Sequence, residues 1–179
     1  ALVAWLAARR VKGLPPWVRA TSLAAFLGTV AQIPLGGVTV ILELHPLAVM
    51  SHFLLALVVT GLSMIVVLEA WTFERGLAAT SAPRWLRIVG VIGVACAVMI
   101  VTGAVATASG PHPGADQEVE RLGLGITDTV YVHVRATAVF GIGLLLVGWQ
   151  LLRRRRELPG IVALAGALLA VLLAQMLVG

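Results

Sequence analysis

The sequence predicts an all-α integral-membrane protein, a polytopic helical bundle. Of its 179 residues, 60% are hydrophobic and only 12% are charged, and the mean hydropathy is +1.02. Soluble domains carry about 25% charged residues, so a water-soluble fold is excluded. The apolar stretches are long and continuous, unlike the short alternating segments of a membrane β-barrel, which indicates helices.

Five apolar stretches approach or exceed the ~20 residues that a helix needs to cross a bilayer. We expect spans at Val18–Leu42, Leu47–Trp71, Leu86–Ala108, Thr129–Leu152 and Gly160–Gly179. The segment Ala1–Ala8 does not have the form of a signal peptide. It is expected to be the tail of a sixth helix that begins earlier in the protein.

Basic residues are confined to one side of the predicted membrane. Eleven of the 13 Lys and Arg residues lie at alternate connections, namely Arg9, Arg10, Lys12, Arg19, Arg75, Arg84, Arg87 and Arg153–Arg156. The other two connections are acidic and contain Arg121 as their only basic residue. The positive-inside rule therefore predicts cytoplasmic basic connections and an outside loop at Thr107–Asp128. Because topology explains the net charge of +5, we expect no nucleic-acid partner.

Two histidines lie inside apolar stretches at similar predicted depth. His52 lies five residues after Leu47, and His133 lies five residues after Asp128. Each ring is therefore expected about 7 Å along its helix from the outer boundary. An imidazole inside a bilayer is costly and usually binds, ligates or relays protons. The matching depth favours haem ligation, and the alternative for each is a packing histidine bonded to a neighbouring helix.

Two short sequence matches indicate an internal duplication. Ala31–Gly36 recurs as Ala174–Gly179, and Arg9–Pro15 resembles Arg153–Pro159, at offsets of 143 to 144 positions. Two matches in one register predict a pair of four-helix units, with eight spans in all. The register also predicts partner histidines about ten residues before the first residue and about 16 after the last.

The chain resembles the haem A synthase family, in its actinobacterial branch. The resembling segments are QIPLGGVTV at Gln32–Val40 leading to His52–Ala56, and VTGAVATASGPHPGAD at Val101–Asp116 followed by Arg121-Leu122 and His133. Their order and spacing cover most of the chain, and the glycine-rich GPHPGAD stretch is fairly specific.

The resemblance implies two four-helix halves, each with a histidine pair on its second and fourth helices. Residues 1–82 would hold the end of helix two with helices three and four, and residues 83–179 would hold helices five to seven. Carried over to this sequence, His52 and His133 would be axial ligands of the iron in two different haems. The acidic residue of the family's first outer loop has no counterpart here, so the catalytic carboxylate is expected before Ala1.

The same resemblance implies an enzyme that oxidises the C8 methyl group of haem O to a formyl group. The product, haem A, serves cytochrome oxidase assembly. Haem b would be the cofactor and haem O the substrate, with haem O synthase and oxidase assembly factors as expected partners in a bacterial plasma membrane. Oligomerisation is left open. The alternative function is a bis-histidine membrane cytochrome b that only carries electrons.

Several other residues have two interpretations each. Arg135, near the outer boundary, either pairs with a haem propionate or extends to lipid headgroups. His45 and His112, in the outer connections, are either solvated or part of a lid over a haem edge. Gln32 is expected to bond between helices rather than to contact substrate. Glycines that permit close helix packing or leave room for a porphyrin face are Gly36, Gly37, Gly103, Gly141 and Gly143.

Overall fold

The computed structural model describes residues 1–76, 83–111 and 119–153, with residues 166–167, 169–171 and 173–175. The described residues form α-helices and contain no strand, which confirms the all-α prediction. The helices are α1 (Leu2–Arg10), α2 (Pro16–Ile41), α3 (Pro46–Glu74), α4 (Pro83–Ser109) and α5 (Ile126–Arg153). The predicted span Gly160–Gly179 lies mostly outside the described residues, and those of it that are described are helical.

Four segments are long and apolar enough to cross a bilayer. They are Pro16–Ile41, Pro46–Glu74, Gly90–Ser109 and Ile126–Arg153, of 26, 29, 20 and 28 residues. Large apolar side chains are exposed along them, among them Ile33 at 76%, Val91 at 70% and Leu146 at 59%. Such exposure suits a hydrocarbon solvent, in which only the backbone must be satisfied internally. By length and composition, the four helices are compatible with a multi-pass membrane protein.

The chain divides into two compact units, and each contains one of the two helix-embedded histidines. One unit comprises Ala1–Ala82 with Ala104–Thr129, and the other comprises Pro83–Gly103 with Val130–Gly179. The duplication of a four-helix bundle, with halves at residues 1–82 and 83–179, stays a prediction.

The helices α1 and α2 pack around a small core at the start of α2. Leu14 in the connection and Val18 on α2 are 5% and 0% exposed, and they form one buried cluster with Ala8 of α1. The rings of Trp5 and Phe26 stack in parallel with centroids 5.3 Å apart. This core fixes α1 against α2, so the segment at the beginning of the chain is a packed helix.

A tight turn at residues 42–45 makes α2 and α3 antiparallel neighbours. Glu43 and Leu44 adopt left-handed backbone angles, φ 49° and 62°, which are unfavourable for a residue as bulky as leucine. The Leu44 amide donates to the Thr39 carbonyl at 2.8 Å and thereby caps α2. Nδ1 of His45 accepts from the Leu47 amide at 3.3 Å and so caps the start of α3. The turn brings the last third of α2 against the first third of α3.

An arginine lies over a tryptophan ring at the C-terminal ends of α1, α3 and α5. The pairs are Arg9 on Trp5, Arg75 on Trp71 and Arg153 on Trp149, with guanidinium-to-ring distances of 5.2, 4.5 and 5.1 Å. Cations favour helix C-termini, and tryptophan favours the membrane–water interface. All three pairs lie at ends that the sequence assigns to the basic side of the membrane.

Gly28 sets the distance between α2 and α3, and its substitution tests their packing. A methyl group at Gly28 would lie 2.6 Å from Val59 Cγ2, and a β-branched valine cannot rotate away easily. We expect Gly28→Ala to lower the free energy of unfolding in detergent by about 1–3 kcal/mol because the helices must separate.

Gly61→Ala on α3 is the matched control, since a methyl group there would meet no atom within 4 Å. Alanine is the better helix former by about 1 kcal/mol, so this variant should be as stable as the parent or slightly more so. Equal stability of the Gly28 and Gly61 variants would show that α2 and α3 do not approach each other closely at Gly28.

Candidate functional site

The ring of His133, on α5, forms contacts with groups of the preceding helix, α4. It lies seven residues after Ile126, about 10 Å along the helix axis. Its Nδ1 is 3.1 Å from the Met99 carbonyl oxygen of α4 and 3.3 Å from Thr102 Oγ1. The ring is half-buried, so the contacts with α4 fix its orientation.

These contacts decide which ring nitrogen of His133 carries the proton. A carbonyl oxygen can only accept a hydrogen bond, so the contact with Met99 requires Nδ1 to be protonated. Thr102 Oγ1 lies 2.8 Å from the Val98 carbonyl, to which it donates, and its oxygen can accept from Nδ1 as well. A neutral imidazole with a proton on Nδ1 has a free lone pair on Nε2. In metal sites, histidine ligands have the same arrangement: a neighbouring acceptor binds the N–H of one ring nitrogen, and the other ring nitrogen ligates the metal.

Gly103 makes room for the His133 ring. A methyl group at Gly103 would lie 2.9 Å from Cε1, 3.2 Å from Nδ1 and 3.5 Å from Nε2 of His133. Any larger side chain there would push the ring away from the Met99 carbonyl. The sequence offered Gly103 as a packing or porphyrin-facing glycine, and the structure shows that it faces the histidine itself.

His52 occupies a similar position on α3. It lies six residues after Pro46, about 9 Å along the helix, and is half-buried. A methyl group at Gly36 of α2 would lie 3.3 Å from its Cε1 and 3.7 Å from its Nδ1. Gln32 Nε2, one turn before Gly36, donates to the His52 carbonyl oxygen at 3.2 Å. The expected interhelical hydrogen bond of Gln32 is thereby confirmed.

The two histidines differ in how their ring nitrogens are satisfied. Nδ1 of His133 has two partners, whereas Nδ1 of His52 is buried and has none among the described residues. A buried polar atom without a partner costs about 1–3 kcal/mol, which makes the ring of His52 a place for a further polar or ligand contact.

The pairing of each histidine with a glycine was not readable from the sequence. Gly36 and His52 are 16 positions apart, whereas Gly103 and His133 are 30 apart, because the intervening connections differ in length. The usable signal was a glycine inside the helix directly before each histidine. Identifying which of several glycines faces the histidine requires the rotation of each helix about its axis. Gly37 and Gly141, for example, face no histidine, since an added methyl group there would have no neighbour within 4 Å.

Arg135 does not share a face of α5 with His133. Two residues along a helix correspond to a rotation of about 200°, so the side chains leave α5 on nearly opposite sides. The Arg135 guanidinium lies over the Tyr131 ring, 3.7 Å from its centroid, one turn nearer the start of α5. The side chain therefore extends towards the N-terminal end of α5, as a long cationic side chain near a helix end can do. The predicted propionate contact of Arg135 gains no support from this placement, and His112 lies outside the described residues.

The described part of the loop 107–128 contacts the ends of two helices, α3 and α4. Arg121 Nη2 donates to the Thr107 carbonyl at 2.6 Å, and the Leu122 amide donates to the Ala108 carbonyl at 3.3 Å. His45 Nε2 lies 3.6 Å from a carboxylate oxygen of Glu120. Since Nδ1 of His45 accepts from the Leu47 amide, Nε2 carries the proton towards Glu120. His45 therefore contacts the described part of the loop 107–128 while its own side chain is 34% exposed and that of Glu120 is 72% exposed.

The two histidines are the side chains that could serve as axial ligands of a haem. Among the described residues, no three His, Cys, Asp or Glu side chains cluster as metal ligands would. A porphyrin supplies four nitrogens to its iron and needs only axial ligands from the protein. A free Nε2 beside a glycine, as at His133, meets that need.

No protein-family model, curated protein or solved structure matches this chain significantly. Its functional assignment therefore depends on its own residues. The two histidines, the glycines that face them and the carbonyl that orients His133 are the features that support a haem site.

Gly103→Ala tests whether this glycine holds the His133 ring in place. Because the added methyl group would lie 2.9 Å from Cε1, we expect a loss of about 1–3 kcal/mol in the free energy of unfolding. Gly36→Ala, at 3.3 Å, should cost much less. Thermal unfolding in detergent measures both.

Gly93→Ala, on the same helix α4 and free of neighbours, is the control and should not destabilise. If Gly103→Ala were as stable as Gly93→Ala, the ring of His133 would not lie against α4.

Proposed function

We propose that this chain belongs to a haem A synthase, which oxidises the C8 methyl group of haem O to a formyl group. The observation that carries the proposal is the state of His133, whose Nδ1 is bound to the Met99 carbonyl while its Nε2 keeps a free lone pair. Haem iron is ligated by a neutral imidazole nitrogen in this state. The sequence resemblance gives the reaction, and the geometry supports the ligand.

In this proposal, His52 and His133 ligate two different haems. His133 would bind haem b and His52 would bind the substrate haem O. Each histidine has a glycine of the preceding helix against its ring, and each lies six or seven residues inside its helix. Haem is amphiphilic, so a site close to the membrane surface suits its apolar ring and its charged propionates.

The haems supply the redox chemistry when they are bound. The chain's own residues would orient the histidine ligands and shield the haems from water. The Met99 carbonyl and Thr102 orient His133, and Gly103 and Gly36 leave space beside the two rings. No acid–base step is assigned to a carboxylate of this chain.

The proposed location is a bacterial plasma membrane, with the basic connections in the cytoplasm and the loop 107–128 outside. Both histidines then lie near the outer face. The link from His45 to Glu120 and the bonds of Arg121 and Leu122 hold the described part of this loop at the outer ends of α3 and α4. The loop is thus suited to restrict water from a haem edge.

A membrane cytochrome b that only transfers electrons is the second candidate. The surroundings of the histidines favour it. Among the described residues, no carboxylate group forms a hydrogen bond with His52 or His133. Axial ligation alone is sufficient for electron transfer. In that case both histidines would belong to haem b sites.

Substitution of each histidine distinguishes the two candidates. Haem is extracted from the purified protein and identified as haem b, haem O or haem A. We expect His133→Ala to lose haem b while haem O or haem A is retained, and His52→Ala to do the reverse. A cytochrome b predicts loss of haem b in both variants.

Ser51→Ala is the matched control, because Ser51 is the neighbour of His52 on α3 but its side chain is exposed and donates only to the Leu47 carbonyl. It should leave haem content unchanged. If neither His52→Ala nor His133→Ala changed the haem absorption spectrum, both haem functions would be wrong.

A further inference from the structure

The carboxamide of Gln32 is only half satisfied. Its Nε2 donates to the His52 carbonyl oxygen at 3.2 Å, whereas its Oε1 is buried and has no partner among the described residues. A 180° flip of the amide, which would exchange Nε2 and Oε1, is unfavourable because Oε1 would then face the His52 carbonyl oxygen and both atoms are acceptors. Gln32 therefore presents one free acceptor at the contact of α2 with α3.

The free acceptor lies close to the His52 ring but deeper in the membrane. Gln32 precedes Gly36 by one helical turn on the same face of α2, and Gly36 lies against the ring. One turn is about 5.4 Å along the axis. Since α2 ends at the outer turn 42–45, Gln32 lies on the side of the ring that faces away from the outer surface.

The chemistry of this acceptor selects among haems. Haem O carries a hydroxyl group on the carbon that joins its long isoprenoid chain to the ring, whereas haem b carries a vinyl group there. A hydroxyl group donates a hydrogen bond, while a vinyl group cannot, and an ionised propionate only accepts. An apolar surface that contains the buried acceptor of Gln32 therefore suits a long alkyl substituent that bears one hydroxyl group.

We propose that Gln32 Oε1 accepts a hydrogen bond from the substituent hydroxyl of haem O and so selects haem O over haem b at His52. This inference rests on the proposed function, in which His52 is the ligand of the substrate haem. A site with a buried group that needs a hydroxyl partner discriminates against the analogue that lacks it. The Gln32–His52 hydrogen bond holds the amide so that Oε1 is already oriented.

The test compares two haems at one site. Purified His133→Ala protein, which retains only the His52 site, is freed of haem and titrated with haem O and with haem b by absorption. We expect haem O to bind more tightly than haem b, because its substituent adds both a hydroxyl group and an apolar chain. Gln32→Met, of similar length and without an acceptor, should lower the haem O to haem b affinity ratio about tenfold by weakening haem O alone, which is the value of one net hydrogen bond.

Gln175→Leu is the control, since it removes a glutamine whose side chain is exposed on an apolar helix, and it should keep the preference. Gln32→Asn provides a second variant if Gln32→Met does not fold, and its shorter side chain should also lower the haem O to haem b affinity ratio. Because both haems are titrated on the same preparation, the affinity ratio does not depend on the folded fraction.

An unchanged haem O to haem b ratio in both Gln32 variants would overturn this inference and leave the haem site at His52 intact. Equal affinities of the two haems before any change at Gln32 would overturn it in the same way. Failure of either haem to bind would instead contradict the proposed function.

Discussion

The hydrogen bond between His133 Nδ1 and the Met99 carbonyl is the interaction on which the proposed site depends. It exists because Gly103, one turn further along α4, has no side chain to keep the ring away. It fixes the ring orientation and the position of the proton together. A packing histidine could have either tautomer, whereas this one leaves Nε2 free for iron. The packing of α4 against α5 therefore determines the orientation of the imidazole that is proposed to ligate haem iron.

His52 also lies beside a glycine, but its Nδ1 has no acceptor that corresponds to the Met99 carbonyl among the described residues. This Nδ1 is buried, and a glutamine bonds to the backbone of the histidine instead. A permanently bound cofactor benefits from a ligand fixed by its neighbours, whereas a substrate must enter and leave. The unsatisfied polar atoms around His52 therefore suit the binding of a substrate haem, as proposed for the N-terminal half.

The sequence predicts the membrane fold well because hydrocarbon imposes a simple rule. A helix must be about 20 apolar residues long, and the helices α2 to α5 begin and end within three residues of the stretches predicted. The contacts at the site were less accessible. The link from His45 to Glu120 joins two connections 75 positions apart, and the choice of Met99 as acceptor depends on the rotation of α4. Both depend on how helices meet, which hydropathy does not encode.

The central claim is tested most directly by the protonation of the His133 ring in haem-free protein. Histidine labelled with ¹⁵N gives distinct chemical shifts for protonated and free ring nitrogens, and His133→Gln assigns the signal among the four histidines. We expect a protonated Nδ1 and a free Nε2, with the Nε2 signal strongly shifted when haem b is added. A protonated Nε2 that is unaffected by haem b would contradict the assignment of His133 as an iron ligand.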